Sequence, residues 1–319
     1  MDYFRGGKEM NKRKRKVLEG VQRFNRVSKA THIGLSALFI FLALLCLMPL
    51  VLVFMISISS EQSIATYGYK FWPQEFSIEA YKFLWESKES IMSAFIVSIV
   101  ITVLGTIIGL LLNTSIAYSL SRRSFKFRGF FTWIIFIPML FGGGMISFYI
   151  TVATVLKLKD TLWALILPMA VSSFYIVMLR TFFQTTVPDS LIESAKIDGA
   201  SQFKIFTRIV LPISLPAIAT VGLFLTFAYW NDWYNALLFI DNNKLVPLQA
   251  MLNRIQNDIA FINDNLSTLG ASAAELIAKL PSESVRMAIV VIVVLPIACS
   301  YPFFQKYFIS GITIGAIKE

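Results

Sequence analysis

Six long apolar runs are the feature that most constrains this chain. Each is close to or above the roughly 20 residues that a tilted helix needs to cross a bilayer. The predicted spans are residues 33–58, 91–120, 129–156, 162–183, 209–230 and 285–308. Of the 319 residues, 56% are hydrophobic and only 15% are charged, which is too apolar to keep the surface of a soluble domain hydrated. The sequence therefore predicts an all-α integral membrane protein with six transmembrane helices.

Basic residues crowd beside the apolar runs and predict the orientation of the chain. The segment 12–16 reads KRKRK before the first span, and the short second loop holds Arg122, Arg123, Lys126 and Arg128. The first loop is instead rich in glutamate. Because basic residues favour cytoplasmic loops, we expect both termini in the cytoplasm, with residues 1–32 as a basic tail. The same crowding accounts for the net charge of +10 and argues against nucleic-acid binding.

The chain offers no pattern for a metal, a disulfide or a bound nucleotide. Cys46 and Cys299 both lie inside apolar runs, and His32 has no ligand partner nearby. The glycines 142–144 are followed by Met145 instead of a phosphate-binding lysine, so we interpret them as a break or a close-packing point in the third span. We therefore predict no catalytic residue, no metal and no cofactor on this chain.

The spans also lack the groups that ion-coupled carriers use. Such carriers bury carboxylates or broken-helix sites near the middle of the membrane, and these spans hold almost none. Arg180 is the one charge well inside a span, about a turn from its predicted cytoplasmic end, where snorkelling explains it.

A polar stretch between the fourth and fifth spans, ESAKIDGASQFKIFTRIVLP from Glu193, falls in the cytoplasm in this orientation. Pro188 and Asp189 suit a helix start, and apolar residues then recur at helical spacing up to a break at Asp198-Gly199. A second apolar stripe follows, formed by Phe203, Phe206 and Ile209. The pattern predicts a helix-turn-helix across the cytoplasmic ends of the bundle. An interfacial helix resting on lipid headgroups is the alternative.

The spacing within this stretch resembles the Glu-Ala-Ala loop of importer-type ABC permeases. Glu193-Ser194-Ala195 is followed at matching intervals by Gly199, Ile209 and Leu211-Pro212. Ser194 replaces the first alanine of that motif. The resemblance implies a permease fold over residues 33–319 and a coupling loop over 184–208. It also implies that five residues engage a separate ATPase subunit: Glu193, Ser194, Ala195, Asp198 and Gly199.

Longer segments are similar to carbohydrate-uptake permeases of the maltose-transporter G-subunit type, in the lipoprotein-operon branch of Gram-positive bacteria. They are PMLFGGGMISFYITV from Pro138, LKDTLWALILP from Leu158, MLRTFF from Met178, YWNDWYNALLFI from Tyr229 and GITIGAIKE from Gly311. The resemblance implies a multi-pass protein of the plasma membrane that passes sugar through a heterodimer with a second, homologous permease. It further implies an ABC ATPase dimer, which binds ATP and Mg, and a lipid-anchored solute-binding protein outside.

Two functions stay open at this point. The first is the permease subunit of an ATP-driven importer of oligo- or polysaccharide-derived sugars, which catalyses no reaction itself. The second is a stand-alone carrier or channel whose cytoplasmic loop is merely interfacial. Subunits that co-purify with the chain would discriminate between them.

A sugar pathway is harder to predict. The segment from Tyr229 combines rings that can stack on sugars with groups that can bond hydroxyls, and its candidates are Tyr229, Trp230, Asn231, Trp233 and Asn235. Counted along a straight helix from residue 209, these lie at the outer interface, which favours an aromatic belt. Asn113 in the second span is a further candidate, although a bond between helices is the ordinary role of such a residue. Gly105 and Gly109 favour close helix packing.

The loop 241–284 is long and polar and is predicted to lie outside the cell, with helix from Pro247. The resemblance implies that it faces the solute-binding protein, and a passive lid is the alternative.

Overall fold

The computed structural model describes residues 29–86, 88–265 and 282–316. The predicted basic segment 12–16 and residues 266–281 of the predicted outer loop lie outside these ranges. Within them no β-strand occurs, and one isolated bridge joins Ser59 and Phe76. The prediction of an all-α chain is confirmed for the described residues.

The helices follow one another with short connections. In chain order they are α1 (Lys29–Ser57), α2 (Glu61–Tyr67), α3 (Glu79–Glu86), α4 (Lys88–Ser121), α5 (Arg128–Leu140), α6 (Gly144–Val155), α7 (Leu162–Ala170), α8 (Ser173–Thr186), α9 (Asp189–Ile197), α10 (Gln202–Ile213), α11 (Leu215–Trp230), α12 (Tyr234–Phe239), α13 (Leu248–Asn265) and α14 (Ser282–Ala316). The backbone of α6 is π-helical over Ile150–Val155, and that of α10 over Phe206–Val210.

The apolar helices agree only in part with the six predicted spans. In the described ranges α1 and α4 are each long and apolar enough to cross a membrane. Two bent pairs raise this number to four if each pair is one span: α7 with α8, bent by 45°, and α10 with α11, bent by 82°. The count of six spans and the position of the termini stay predictions.

The third predicted span is wrong as a single helix. It divides into α5 and α6, which are too short to cross a bilayer alone. The break falls at Phe141, whose backbone is extended, and at the glycines that follow, where Gly144 has a φ of +78°. Since a Cβ built at Gly142 or Gly144 would meet no atom within 4 Å, these glycines permit the break and do not serve close packing.

The fifth predicted span is also not one straight helix. The bend lies at Ser214, and Pro216 follows it at the start of α11. Proline has no N–H to donate to the preceding turn, so the backbone hydrogen bonds cannot run straight through this point. Only the 16 residues of α11 remain beyond the bend, about 24 Å of helix. The distance counted along a straight helix from residue 209 therefore does not hold.

From Phe54 onward the described residues form one compact unit built around α4. This helix has 34 residues, which makes it about 51 Å long, and it packs against α7, α8 and α11. A Cβ built at Gly105 would lie 2.5 Å from the ring of Tyr229, and one at Gly109 would lie 2.9 Å from Leu225. The predicted close packing at these two glycines is confirmed.

The two ends of α4 contact different parts of the chain. Near the Lys88 end, Ser98 Oγ accepts a hydrogen bond of 2.7 Å from the N–H of Leu248 at the start of α13. The Ser121 end contacts the α9–α10 region, as described below. The loops predicted to share a side of the membrane therefore meet at the same end of α4.

Candidate functional site

The predicted helix-turn-helix is confirmed in α9 and α10. The N–H of Gly199 donates to the carbonyl of Lys196 at 3.0 Å, and that of Ala200 donates to the carbonyl of Ala195 at 2.9 Å. With Gly199 at a φ of +76°, this is a Schellman motif, which ends a helix by a turn that glycine adopts without strain. Ser201 then caps α10, because its Oγ accepts a hydrogen bond from the N–H of Lys204.

One face of this pair is buried and the other is open. Ile192 and Ile205 lie in the core, whereas Ile197 and Phe203 are 87% and 75% exposed. Phe203 thus departs from the predicted apolar stripe. We call the open face, formed by Leu191, Glu193, Ser194, Ile197, Asp198 and Phe203, the coupling face. Exposed large apolar side chains beside a carboxylate are typical of a surface that meets another protein.

Two of the predicted coupling residues, Ala195 and Gly199, lie outside this face and hold it in place. Ala195 is half-buried and packs against the core, and Gly199 forms the turn. The Ser194 hydroxyl donates to the carbonyl of Ser190 one turn earlier, at 2.9 Å. Ser194 therefore fits where the motif has alanine, since its hydroxyl is bonded within its own helix.

Arg122 holds the corner where α8 turns into α9. Its guanidinium donates to the Phe183 carbonyl in the last turn of α8 (Nη2 to O, 3.4 Å) and to Ser121 Oγ (Nε, 2.9 Å). Its Nη1 lies 3.8 Å from the carboxylate of Asp189, the first residue of α9. A cation is favourable at a helix C-terminus, and a carboxylate is favourable at an N-terminus. One buried arginine therefore joins the ends of two helices.

Burial changes the pKa of Arg122 at this corner but not its charge at neutral pH. Removal from water lowers the pKa of the Arg122 guanidinium, while Tyr118 and Asp189 act in the opposite direction. Because an arginine starts so far above neutral pH, it stays a cation. The sequence marked Arg122 only as one of several basic residues, and its partners Phe183 and Asp189 lie more than 60 residues away.

The far arm of the helix-turn-helix is tied to the same end of α4. The Tyr118 hydroxyl donates to Gln202 Oε1 at 2.9 Å. Its ring centroid lies 4.9 Å from that of Phe206, and the Arg122 cation lies over the same ring at 5.4 Å. The last turn of α4 thus contacts α10, and the residue after it contacts α9.

Of the aromatic segment, Tyr229 and Trp230 are buried. The Tyr229 hydroxyl donates to the carbonyl of Ile166 at 2.7 Å, and Trp230 Nε1 donates to that of Val293 at 3.1 Å. With an exposed fraction of 6%, Trp230 does not belong to an aromatic belt. The belt interpretation is wrong for these two residues, because both are buried and bonded to neighbouring helices.

The rest of the segment forms a turn after α11. Asp232 accepts hydrogen bonds from the backbone and the side chain of Asn235, which is buried. Asn231 and Trp233 are exposed. Asn231 accepts a hydrogen bond from Gln249 of α13 at 3.0 Å, so its side chain also lies beside the predicted outer loop.

Asn113 is fully buried and bridges the break between α7 and α8. Its amide nitrogen donates to the carbonyls of Gly109 and Ala170, at 2.7 and 2.8 Å, and its Oδ1 accepts from the N–H of Ser172 at 3.1 Å. This is the bond between helices that sequence reasoning considered ordinary for such a residue.

Arg180 is half-buried and reaches the neighbouring α5. Its Nη1 lies 3.4 Å from Thr132 Oγ1, to which it donates. In the described ranges no group of histidine, cysteine, aspartate or glutamate side chains could hold a metal ion.

At the Lys88 end, carboxylates fasten the loops in a way that the sequence did not suggest. Glu61 accepts hydrogen bonds from the backbone N–H groups of Glu283 and Ser284, at 3.0 and 3.2 Å, and so caps α14. Asp160 accepts a hydrogen bond of 2.7 Å from the N–H of Asp241. The loops before α7 and before α13 are therefore held together, and so are α2 and α14.

The chain was compared with known proteins. Residues 101–314 match a family described as "binding-protein-dependent transport system inner membrane component". The polygalacturonan/rhamnogalacturonan transport system permease protein YtcP of Bacillus subtilis (strain 168) is 36% identical over 276 residues, which cover 86% of this chain and 94% of the relative. Protein LplC of the same organism is 38% identical over 272 residues, covering 85% and 89%.

A solved structure is also similar. It is that of a bacterial ABC transporter involved in the import of the acidic polysaccharide alginate. One of its chains matches this fold with a TM-score of 0.73 and 27% sequence identity, covering 89% of this chain and 99% of that one.

Proposed function

Because the chain belongs to the family of binding-protein-dependent transport system inner membrane components, we infer that it is the permease component of an ABC importer of sugars or polysaccharides. The relatives named above include a polygalacturonan/rhamnogalacturonan transport permease, and the solved neighbour imports alginate. The chain resides in the plasma membrane, and its Bacillus relatives indicate a Gram-positive bacterium.

We propose that the coupling face is where a separate ABC ATPase docks. The observation that carries this is the exposure of Ile197 and Phe203 beside Glu193, on a helix pair whose opposite side is buried. In the proposed complex an ATPase dimer binds ATP and Mg, and its closure moves α9 and α10. The chain itself then hydrolyses nothing.

The other partners are proposed from the family. A second, homologous permease pairs with this chain, and a lipid-anchored solute-binding protein delivers sugar from outside. We propose six spans with both termini in the cytoplasm, so that the coupling face lies inside and α13 outside. Support comes from the basic second loop, whose Arg122 contacts the start of α9.

Two residues of the aromatic segment, Asn231 and Trp233, keep exposed side chains. The Asn231 amide bonds at the surface to α11 and α13, and a sugar hydroxyl would replace the α13 partner. Tyr229, Trp230 and Asn235 instead use their polar atoms inside the protein. The amide nitrogen and oxygen of Asn113 are likewise bonded inside the protein. We propose that Asn231 and Trp233 contribute to the sugar pathway and that the other four shape it.

Co-purification of the membrane complex tests the proposal, with Glu193→Gln as the decisive variant. We expect wild-type chain to bring down an ATPase and a second permease in stoichiometric amounts. A carboxylate that meets a cation in a partly desolvated cleft leaves that cation unpaired when it is removed, at a cost of about 2–5 kcal/mol. Glu193→Gln should therefore lower ATPase recovery and the ATP hydrolysis stimulated by loaded binding protein.

Glu86→Gln is the matched control, because Glu86 is an exposed carboxylate at the end of α3, away from the coupling face. It should leave both measurements unchanged. Absence of an ATPase from the wild-type complex would refute the importer and favour a stand-alone carrier or channel. Normal ATPase recovery and normal stimulation of ATP hydrolysis in both Glu193→Gln and Glu193→Lys would refute only the role of the Glu193 charge. The importer function would stand.

A further inference from the structure

The last turn of α4 and the residue after it hold both arms of the helix-turn-helix, and this goes beyond the docking of an ATPase. Arg122 follows directly after α4 and contacts the corner between α8 and α9. Tyr118, one turn earlier, contacts Gln202 and Phe206 of α10. We propose that Arg122 and Tyr118 form a clasp that makes α9 and α10 move together with α4.

The burial of Arg122 shows why it can act in this way while its neighbour cannot. The Arg122 side chain is 9% exposed, and that of Arg123 is 87% exposed, yet each lies 3.8 Å from the Asp189 carboxylate. An exposed ion pair is screened by water and contributes little. A buried guanidinium that also donates to the Phe183 carbonyl fixes the direction in which α9 leaves α8.

The clasp connects movements of the helix-turn-helix with the centre of the helix bundle. Because α4 packs against α7, α8 and α11, a displacement of α9 reaches the centre of the bundle through this central helix. Gly105 and Gly109 leave no space between α4 and α11, so these helices cannot slide without repacking. Arg122 and Tyr118 are therefore positioning residues of transport, remote from both the ATP and the sugar.

The clasp rests on the proposed function, and its test uses the reconstituted complex with its ATPase, second permease and binding protein. We expect Arg122→Gln to retain ATPase co-purification and basal ATP hydrolysis. Hydrolysis stimulated by loaded binding protein, and sugar uptake, should fall by about tenfold, as expected for loss of one hydrogen bond from a charged group. Arg122→Lys keeps the charge without the planar fork and should recover part of the loss.

Arg123→Gln is the matched control, since it removes the same charge from the same carboxylate at an exposed site. It should behave like wild type. Wild-type stimulation in Arg122→Gln, an equal loss in Arg123→Gln, or loss of ATPase co-purification in Arg122→Gln would each overturn the clasp. In all three cases a coupled wild-type complex would leave the importer function intact.

A second variant decides the question if Arg122→Gln does not accumulate. Tyr118→Phe removes only the hydroxyl that bonds to Gln202 and keeps the ring beside Phe206. Reduced stimulation with normal co-purification supports the clasp, and unchanged stimulation overturns it.

Discussion

The coupling face and the aromatic segment after residue 228 were both predicted from the sequence to be functional. In the structure the first is exposed and the second is partly buried. The first keeps Glu193, Ile197 and Phe203 at the surface, whereas the second buries Tyr229 and Trp230. The coupling loop was identified by fixed spacing around a glycine that the backbone needs. The aromatic segment was identified by composition, and aromatic rings fill cores as readily as they bind sugars.

The largest effect expected from this comparison is at Trp230. Trp230→Ala should lower the free energy of unfolding by about 3–5 kcal/mol, because it empties a buried site and removes the hydrogen bond to the Val293 carbonyl. Thermal unfolding of the purified protein in detergent measures this. Trp233→Ala, at an exposed ring of the same segment, should change stability by at most about 0.5 kcal/mol. Wild-type stability with weakened sugar uptake in Trp230→Ala would instead make Trp230 a sugar contact.

A smaller effect on stability, but a larger one on coupling, is expected at Gly199. Gly199→Val places a β-branched residue at a φ of +76°, a strain of about 1–3 kcal/mol. The strained turn should change the angle between α9 and α10, so that ATP hydrolysis no longer responds to loaded binding protein. Gly68→Val is the control, because Gly68 also has a positive φ, +70°, and open surroundings on another loop. Its ψ of −166° lies in a region essentially restricted to glycine, so this variant should cost at least as much stability while leaving the response intact. An equal loss of the response in both variants would show that general destabilisation, and not the Gly199 turn, causes it.

The smallest effect is expected at Asn231, a residue of the aromatic segment that is exposed like those of the coupling face. Asn231→Ala should leave the unfolding temperature unchanged and raise the KM of sugar uptake about fivefold, as expected for loss of one hydrogen bond of roughly 1 kcal/mol. Asn257→Ala removes a similar exposed amide from α13 and should leave the KM unchanged. An unchanged KM in Asn231→Ala would remove this residue from the pathway.

Features that depend on neighbouring residues could be predicted from the sequence, whereas contacts between residues far apart in the chain could not. The turn at Gly199 and the break at Gly144 could be predicted because glycine reveals the backbone conformation it permits. The bend at Ser214 was missed, although Pro216 carried a signal for it, because the apolar run continues through the bend. The contacts of Arg122 could not be predicted, since no pattern of spacing links it to Phe183 or Asp189.

Asn113 also constrains the order in which the chain enters the bilayer. The carbonyl of Ala170 and the N–H of Ser172 are freed by the bend between α7 and α8, and both are bonded by this one amide of α4. In hydrocarbon without that partner, each freed group would cost several kcal/mol. Synthesis from the N-terminus presents α4 to the insertion machinery before the bent pair. A circular permutant that delivers α7 and α8 first would have to hold an unsatisfied backbone in lipid until its asparagine arrived.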